Sequence, residues 1–583
     1  MKNIYSFIIY CIICLIALNY RISYPENKSE QAFKVTTWDA LGYYVYLPGI
    51  FIYHDYTQFA WLPAIDSTYA VSGGTIYQVN KIENGNYVTK YLGGIAILEM
   101  PFFLIGHIIA INSHYAADGF SPPYQYSISF GILIYFLLGL FILRNILLRY
   151  YSDLTTSITL LLIALATNAI QYAAIDSAQS HIPIFFLYAL VIYSTIKWHQ
   201  KPTIFFASLT GFIIGLATIS RPTEAIMFLI PLLWNTQTKE QAREKWALLK
   251  NNRLHLWCII LFGIIGILPQ LIYWKIASGH FIYDVGSKWT FLNPFFRVLF
   301  GFEKGWFIYT PVTIFFIMGL FFVKKYPFKK SVIYFCILNI WIIISWFDWR
   351  YGGSYSTRAL VQSYPVFALA LGAFIDYVSS KKWRYIFYLT GIYLIYVNLF
   401  QIWQYNHAIL HYNGMNRLYY SKVYLNPNPA PLVISLLENP EWLDDESEFK
   451  QEVIFKMDTA LNLNFNNDSM VIIADLNPGI HNPEPDVSTK WLKIESSVKI
   501  INGESARLYS ELIQEDSIKR NSINLFNPRM KSAAVNDYAF YVNIPEYYKQ
   551  SRIKLFLTST NRFECIVEKT KITLYQNGAD EFK

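Results

Sequence analysis

Charge is scarce in this chain. Only 15% of its 583 residues are Asp, Glu, Lys or Arg, against about 25% in soluble domains. With 54% hydrophobic residues, that shortage excludes an ordinary water-soluble fold. Cysteine is rare too: Cys11, Cys14, Cys258 and Cys336 lie in apolar runs, and Cys565 is alone in the tail. No disulfide framework follows, and the C-x-x-C at Cys11–Cys14 has no thioredoxin-like context, so it reads as packing. Internal repeats, low-complexity tracts and a small-residue cleavage site after the first apolar run are absent. The last absence makes that run an uncleaved anchor.

What is present is apolar and aromatic. Tyr (46) and Phe (43) are abundant, which suits a lipid-facing and interfacial surface. Runs long enough to span a bilayer fall at Ile4–Tyr20, Gly93–Ile111, Ile128–Leu148, Thr155–Tyr172, Ile182–Trp198, Thr203–Ser220, Pro222–Trp234, Leu256–Ala277, Trp306–Val323, Ser331–Trp346, Ala359–Val378 and Tyr385–Trp403.

The net charge of +8 is uneven. From Asn406 onward there are 19 Lys and Arg against 23 Asp and Glu, leaving 29 against 17 before it. The basic excess sits in short loops, where it reads as a topology signal and not as nucleic-acid binding. Arg144 with Arg149, Lys197 with Lys201, Lys239–Arg253, Lys324–Lys330 and Lys381–Arg384 are predicted cytoplasmic. The loops between them and the tail are then outside. Twelve spans conflict with an N-terminus inside and a tail outside, so 12–13 are expected, with Tyr43–Tyr126 as the place of the extra or missing one.

After Tyr405 the pattern changes to short alternating runs: Met470–Ile473, Trp491–Ile494, Phe540–Ile544, Ile553–Leu557 and Ile572–Tyr575. These predict a small antiparallel β-sandwich. The predicted organisation is an all-α polytopic membrane domain over 1–405, with a first external loop at 21–92. A linker at 406–450 and an extracytoplasmic β-sandwich at 451–583 follow.

The outward loops gather chemistry. Asp39 and Asp55 lie in the first, TTWDALGYYVYLPGIFIYHDY. Arg221 opens SRPTEA. Lys288, Arg297 and Lys304 lie in GSKWTFLNPFFRVLFGFEKGW, and Asp348, Arg350 and Arg358 in FDWRYGGSYSTRAL. A carboxylate can take a proton from an acceptor hydroxyl, worth about 10²–10⁴ in rate. Guanidinium and ammonium groups can hold a lipid phosphate and the charge that grows as it leaves. Asp39 is the candidate base. Arg221, Arg358, Lys288, Arg297 and Arg350 are the candidate phosphate and substrate ligands. His181 reads as an interface histidine, and Glu99, inside a span, as a residue that faces protein.

Several of these stretches resemble the GT-C glycosyltransferases, polytopic enzymes that use polyprenyl-phosphate sugars. The resemblance is to the protein O-mannosyltransferase and lipid A aminoarabinose transferase branch. Trp38-Asp39-Ala40 with Tyr43-Tyr44 stands where members carry an acidic residue and a juxtamembrane helix. Thr89–Phe103 looks like the Y-P-P-G-type start of the next span, with Leu92-Gly93 in place of the prolines. Leu216–Ile226 is similar to the L-a-x-l-t-[RK]-p turn. Trp349–Arg358 resembles W-x-G-G-x-S-x-G-x-R, with Thr357 where Gly is common. The likeness covers roughly the first 400 residues. Many members have paired acidic residues in the first loop; here Asp39 stands alone, which leaves Asp55 as the alternative base and argues against a carboxylate-pair metal site.

The resemblance implies a membrane glycosyltransferase on the outer face of the plasma membrane (the inner membrane of a bacterium). Its partners would be a polyprenyl-phosphate sugar, a glycan, lipid or protein acceptor, and membrane lipids. Tyr43, Tyr44 and Asp55 join the substrate-binding candidates. No cofactor is implied, and a divalent metal requirement stays open. The alternatives are a transporter or flippase of lipid-linked sugars and a polysaccharide polymerase or ligase. Charges at loop edges favour the enzyme over the transporter, whose ionisable groups belong near mid-membrane.

Overall fold

The computed structural model describes residues 3–26, 33–466, 469–477, 489–503, 506–525 and 534–576. Parts of the predicted first loop (27–32) and of the tail, including 577–583, lie outside the described residues. The chain divides into two compact units, Met1–Ile402 and Trp403–Lys583.

The first unit is helical. Among the described residues seven helices are long and apolar enough to cross a bilayer: Ile4–Ser23, Gly94–Ile111, Pro122–Leu147, His181–Gln200, Arg253–Ser278, Arg358–Ser379 and Arg384–Asn406. The shortest has 18 residues, about 27 Å at 1.5 Å per residue. The protein is therefore a multi-pass membrane protein. The Arg358–Ser379 helix is almost wholly enclosed by protein, whereas Arg253–Ser278 is mostly bare, as a lipid-facing helix would be.

The other five predicted spans are shorter or broken. Thr155–Tyr172 is a helix only over Asp153–Leu165, followed by a π-turn at Gln171–Ile175. Thr203–Ser220 is helical over Ile204–Ser220, and Ser331–Trp346 over Lys329–Ile344. Pro222–Trp234 begins as a 3-10 turn, Pro222–Phe228, before Leu229–Leu233. Trp306–Val323 divides into Trp306–Tyr309 and Thr313–Gly319, with Pro311 in the gap, where it removes a helix donor. Hydropathy registers apolar content and is blind to such breaks.

The loop predicted to be the first external one is folded. Asp39–Tyr44 and Tyr46–Phe51 are short helices, Leu62–Tyr69 is a third, and strands β1 (Val79–Lys81) and β2 (Tyr87–Thr89) form an antiparallel hairpin. A cluster including Leu41, Tyr44, Val45, Phe59, Leu62 and Val88 packs this loop against Phe103, Tyr124 and Tyr273 of the helices. The loop is thus fixed to the bundle by buried apolar surface.

One helix pair leads into Arg221. Ile204–Ser220 and Arg253–Ser278 meet through glycines: a Cβ on Gly211 would lie 2.1 Å from Ile259 O, and one on Gly215 2.2 Å from Gly263 O. Small residues allow such backbone approach in membranes. Arg221 follows directly on the first of these helices.

The second unit is a β-sandwich. Its strands are β3 (Lys450–Met457), β4 (Leu461–Phe465), β5 (Ser469–Leu476), β6 (Lys490–Asn502), β7 (Ala506–Gln514), β8 (Ser517–Asn524), β9 (Val535–Ile544), β10 (Arg552–Ser559) and β11 (Phe563–Gln576). One antiparallel sheet has the order β5-β10-β7-β8; the other has β3-β11-β6-β9, with β4 also on β11. Burial alternates along β6. Leu492 and Ile494, opposite Val542 and Phe540 of β9, share a core with Leu508, Leu512, Leu555 and Leu557 of the other sheet. The five predicted alternating runs all fall on strands. The predicted linker, 406–450, is instead part of this unit. It carries the helices Arg417–Val423 and Pro431–Ile434. Asn439 Nδ2 donates to Tyr541 O at 2.6 Å, and Tyr575 OH donates to Glu446 at 2.9 Å. Glu438, Glu446 and Glu441 read as solvated in sequence because their partners Arg507, Tyr541 and Asn543 lie 69, 95 and 102 residues away.

The glycine contact gives a first test. Gly215→Val places two methyl groups against backbone that no rotamer can move aside. Overpacking of about 1–3 kcal/mol or more is expected. The variant should lose most of its monodisperse peak in detergent size-exclusion chromatography, while Gly263→Ala, where an added Cβ meets nothing closer than 3.5 Å, should keep it.

Candidate active site

Asp39 is the first residue of the Asp39–Tyr44 helix, and the preceding Trp38 has φ +55°. Trp38 is locked by its backbone N–H donating to Val71 O at 3.0 Å and by Gln78 Nε2 donating to Trp38 O at 3.1 Å. These bonds aim the Asp39 carboxylate. Its Oδ1 accepts from Tyr91 OH at 2.6 Å and from Tyr77 OH at 3.0 Å. Its Oδ2 forms an ion pair with Arg358 Nη2, 319 residues away. Tyr91 is seated by Gly42, where a Cβ would run into its ring, and by the ring edge of Tyr43 at 4.8 Å.

Arg358 stands at the start of the enclosed Arg358–Ser379 helix. Its Nη1 also donates to Gln179 Oε1 at 3.3 Å. The loop before it is braced. Thr357 OH donates to Val298 O and Lys304 O at 2.8 and 2.9 Å. Lys304 Nζ donates to Gly352 O. Gly352 has φ +64°, and a Cβ there would be 3.3 Å from Arg358 Nη2. Glycine is therefore required both for the left-handed backbone and for the approach of this loop to the ion pair. Left-handed backbone at Ala178, Tyr351 and Ser356, as at Trp38, costs about 1–3 kcal/mol each and gathers at functional sites. Each of these residues lies within two positions of a group in this cluster.

The pair is not sealed. The Arg358 side chain is 11% exposed and that of Asp39 25%. Burial works against the ionised carboxylate, but the Arg358 charge and the bonds from Tyr91, Arg358 and Tyr77 outweigh it and hold Asp39 down at about 2. Burial and the neighbouring carboxylate together push the Tyr91 and Tyr77 phenols up, so both remain donors. Burial, reinforced by the Arg358 charge, lowers the Lys304 ammonium to about 7.

A second polar cluster adjoins the first. Gln362, one turn along from Arg358, accepts from Arg221 Nη1 at 3.4 Å and lies 3.0 Å from His181 Nδ1. With Gln362 Oε1 as the acceptor, His181 Nδ1 carries the proton. Gln362 Nε2 donates to the buried Glu224, whose other oxygen accepts from Tyr188 OH at 2.5 Å. Both guanidinium groups, Arg221 and Arg358, act electrostatically on His181. Arg221 is half-buried and makes one long hydrogen bond, from Nη1 to Gln362 Oε1, with His181 Nδ1, itself a donor, 3.4 Å from the same nitrogen. Its other donors are unspent among the described residues.

The remaining candidates lie elsewhere. Lys288, Arg297 and Arg350 are exposed. Arg297 and Arg350 both stack on Trp349, at 4.5 and 4.7 Å, and Arg350 pairs with Glu303 at 2.7 Å. Two first-loop candidates are corrected. Tyr44 is fully buried and spends its hydroxyl on Gly119 O at 2.5 Å, so it is part of the core. Asp55 accepts from the backbone N–H groups of Gln58 and Ala60 at 2.8 Å. Burial opposes its ionised form, but these backbone bonds lower its carboxyl below the usual range, so it organises its own turn. Glu99 is buried against protein, and its carboxylate has no hydrogen-bond partner among the described residues. Sequence reasoning missed Tyr77, Tyr91, Gln179 and Gln362 as members of the cluster. Among 46 tyrosines, nothing local marks two.

No family model matches the chain, and no curated protein does. Among solved structures it is similar to ArnT from Cupriavidus metallidurans. Both the apo form and the form bound to undecaprenyl phosphate share 13% identity over 74% of this chain and 70% of that one, with TM-scores of 0.43 and 0.45. It is also similar to arabinosyltransferase EmbB from Mycobacterium smegmatis, at 10% identity over 96% of this chain and 64% of that one, with a TM-score of 0.37. These scores are below 0.5, and the functional reading rests on the Asp39–Arg358 cluster itself.

The ion pair predicts its own coupling. Asp39→Asn leaves Arg358 without a counter-ion, and Arg358→Gln leaves Asp39 without one; either should lower the melting temperature. The double variant should lie well above the sum of the two losses, with a coupling of about 1–3 kcal/mol. The check is thermal unfolding in detergent at pH 7. The Asp39 share should fade on acidification: its folded value is depressed, so its contribution is present above the ordinary carboxylate value near 4 and is lost as pH falls toward 2.

Proposed function

We propose that this chain is an integral-membrane glycosyltransferase that takes a sugar from a polyprenyl-phosphate donor on the outer face of the plasma membrane and passes it to an acceptor hydroxyl. The acceptor is a glycan, lipid or protein. The observation that carries this reading is a partly exposed Asp39–Arg358 pair, beside a second arginine, Arg221, with unspent donors.

The chemistry follows from charge. The acceptor oxygen attacks the anomeric carbon as the bond from that carbon to the phosphate oxygen breaks. The electron pair leaves with the lipid phosphate, whose charge grows by one. The acceptor proton passes to a base. Arg358 and Arg221 can meet the growing phosphate charge, bidentately where geometry allows. Asp39 is the base in this scheme, but a carboxylate held at about 2 is a feeble proton acceptor. Donor binding resolves the conflict. As Arg358 turns to the phosphate, Asp39 loses the charge that depressed it while the burial that opposes its ionised form remains, so its basicity rises. Activation of the base is thereby coupled to occupation of the donor site.

This coupling has a kinetic signature. kcat/KM reports the free enzyme and kcat the bound complex. The acid limb from Asp39 should lie near pH 2 in kcat/KM, below the working range, and at higher pH in kcat. Arg358→Lys should cut kcat by at least about tenfold, because a lysine makes no bidentate contact. Arg358 and Arg221 variants should be non-additive. Identical limbs in both profiles, or small additive effects at the two arginines, would refute the scheme. Full activity of Asp39→Asn would remove the base.

A further inference from the structure

The second unit holds a cleft that the proposed chemistry does not use. It measures about 630 Å³, within the 300–1,000 Å³ typical of ligand sites. One wall comes from the segment around Asn413, Asn428 and Ile434; the other from the start of β9, including Asn536 and Asp537. We infer that this cleft binds a neutral sugar chain.

The cleft is built before any ligand arrives. Its helical wall is tied to the sheets at several points. Glu438 pairs with Arg507 at 2.5 Å and also accepts from Asn524 N at 3.1 Å. Asn416 Nδ2 donates to Leu436 O at 2.7 Å, and Asn521 Nδ2 donates to Asn439 Oδ1 at 2.9 Å. A wall fixed in this way loses little conformational entropy on binding.

The chemistry of the walls selects the ligand. The Asn428 side-chain amide makes no hydrogen bond among the described residues, and the Asn413 amide nitrogen donates to none. Asn413 Oδ1 accepts from Gly414 N at 3.0 Å. Asp537 accepts from Ser497 through Oδ1 at 2.7 Å, which leaves Oδ2 open, and Asn536 spends Nδ2 on Ala534 O at 3.0 Å, which leaves its carbonyl open. Amides and carboxylates supply donors and acceptors in one plane, suited to hydroxyls on adjacent ring carbons. Pro431 and Ile434 offer apolar surface to the C–H face of a sugar ring. An anionic ligand is disfavoured, because the Arg507 charge is already paired with Glu438, and Asp537 adds a negative charge to the lining.

The test uses the full-length chain in lipid nanodiscs and isothermal titration with the neutral hexasaccharides of glucose, mannose and galactose. Hexagalacturonate is the acidic control. At least one neutral chain should saturate at millimolar concentration or below, and the acidic one should not. Asn428→Ala with Asp537→Ala, both at exposed positions, should weaken binding by about tenfold or more, as the loss of one or two hydrogen bonds implies. Asn413→Ala serves if the double variant melts early. Asp39→Asn should leave binding unchanged, so the cleft and the proposed active site stand or fall separately. The inference is overturned if no neutral hexasaccharide saturates by about 10 mM, or if hexagalacturonate binds as tightly. It is equally overturned if the cleft variants, unchanged in melting, bind like the parent, or if Asp39→Asn abolishes binding.

Discussion

A charge taken out of water must be met by another, and the first unit is arranged around that demand. Asp39 and Arg358 come from opposite ends of the unit and satisfy each other. Tyr77 and Tyr91 complete the carboxylate, and Gln179 takes a further guanidinium proton. Each element that carries one of these groups is pinned by packing: the first loop by its apolar cluster and the Arg358 helix by near-total enclosure. Strained backbone at Trp38, Ala178, Tyr351 and Ser356 persists because this surrounding structure over-determines it.

The same pair explains why the carboxylate alone is an incomplete account of the chemistry. In the free protein Asp39 is an anion with three partners and little appetite for a proton. A ligand that competes for Arg358 changes that. A phosphate is suited to compete, since its oxygens accept from guanidinium as a carboxylate does. Arg221, close by with donors to spare, gives such a ligand a second hold.

Much of the architecture was legible in the chain. Low charge and long apolar runs marked a multi-pass protein, and period-two runs located five of the nine described strands of the sandwich. Asp39, Arg221 and Arg358 stood out because charge in an external loop of so apolar a chain is conspicuous. Their partners did not. The pairing of Asp39 with Arg358 is a fact of three-dimensional packing across 319 residues. The roles of Tyr77, Tyr91 and Gln362 depend on which of many similar side chains the fold brings near. Tyr43 and Tyr44 looked alike and both are buried, yet Tyr43 packs its edge on Tyr91 beside Asp39 while Tyr44 spends its hydroxyl on Gly119 O. The breaks in the apolar stretches and the docking of 406–450 on the sheets escaped for a related reason: both are decided by contacts remote in sequence.

The central claim is that a lipid phosphate and Asp39 compete for Arg358. A structure of the full chain in a nanodisc with an added polyprenyl phosphate tests it most directly. The account predicts the phosphate within hydrogen-bond distance of Arg358 and Arg221, and Asp39 separated from Arg358 but still held by Tyr77 and Tyr91. A bound phosphate that leaves the Asp39–Arg358 pair intact, or that sits on Lys288, Arg297 or Arg350 instead, would contradict it.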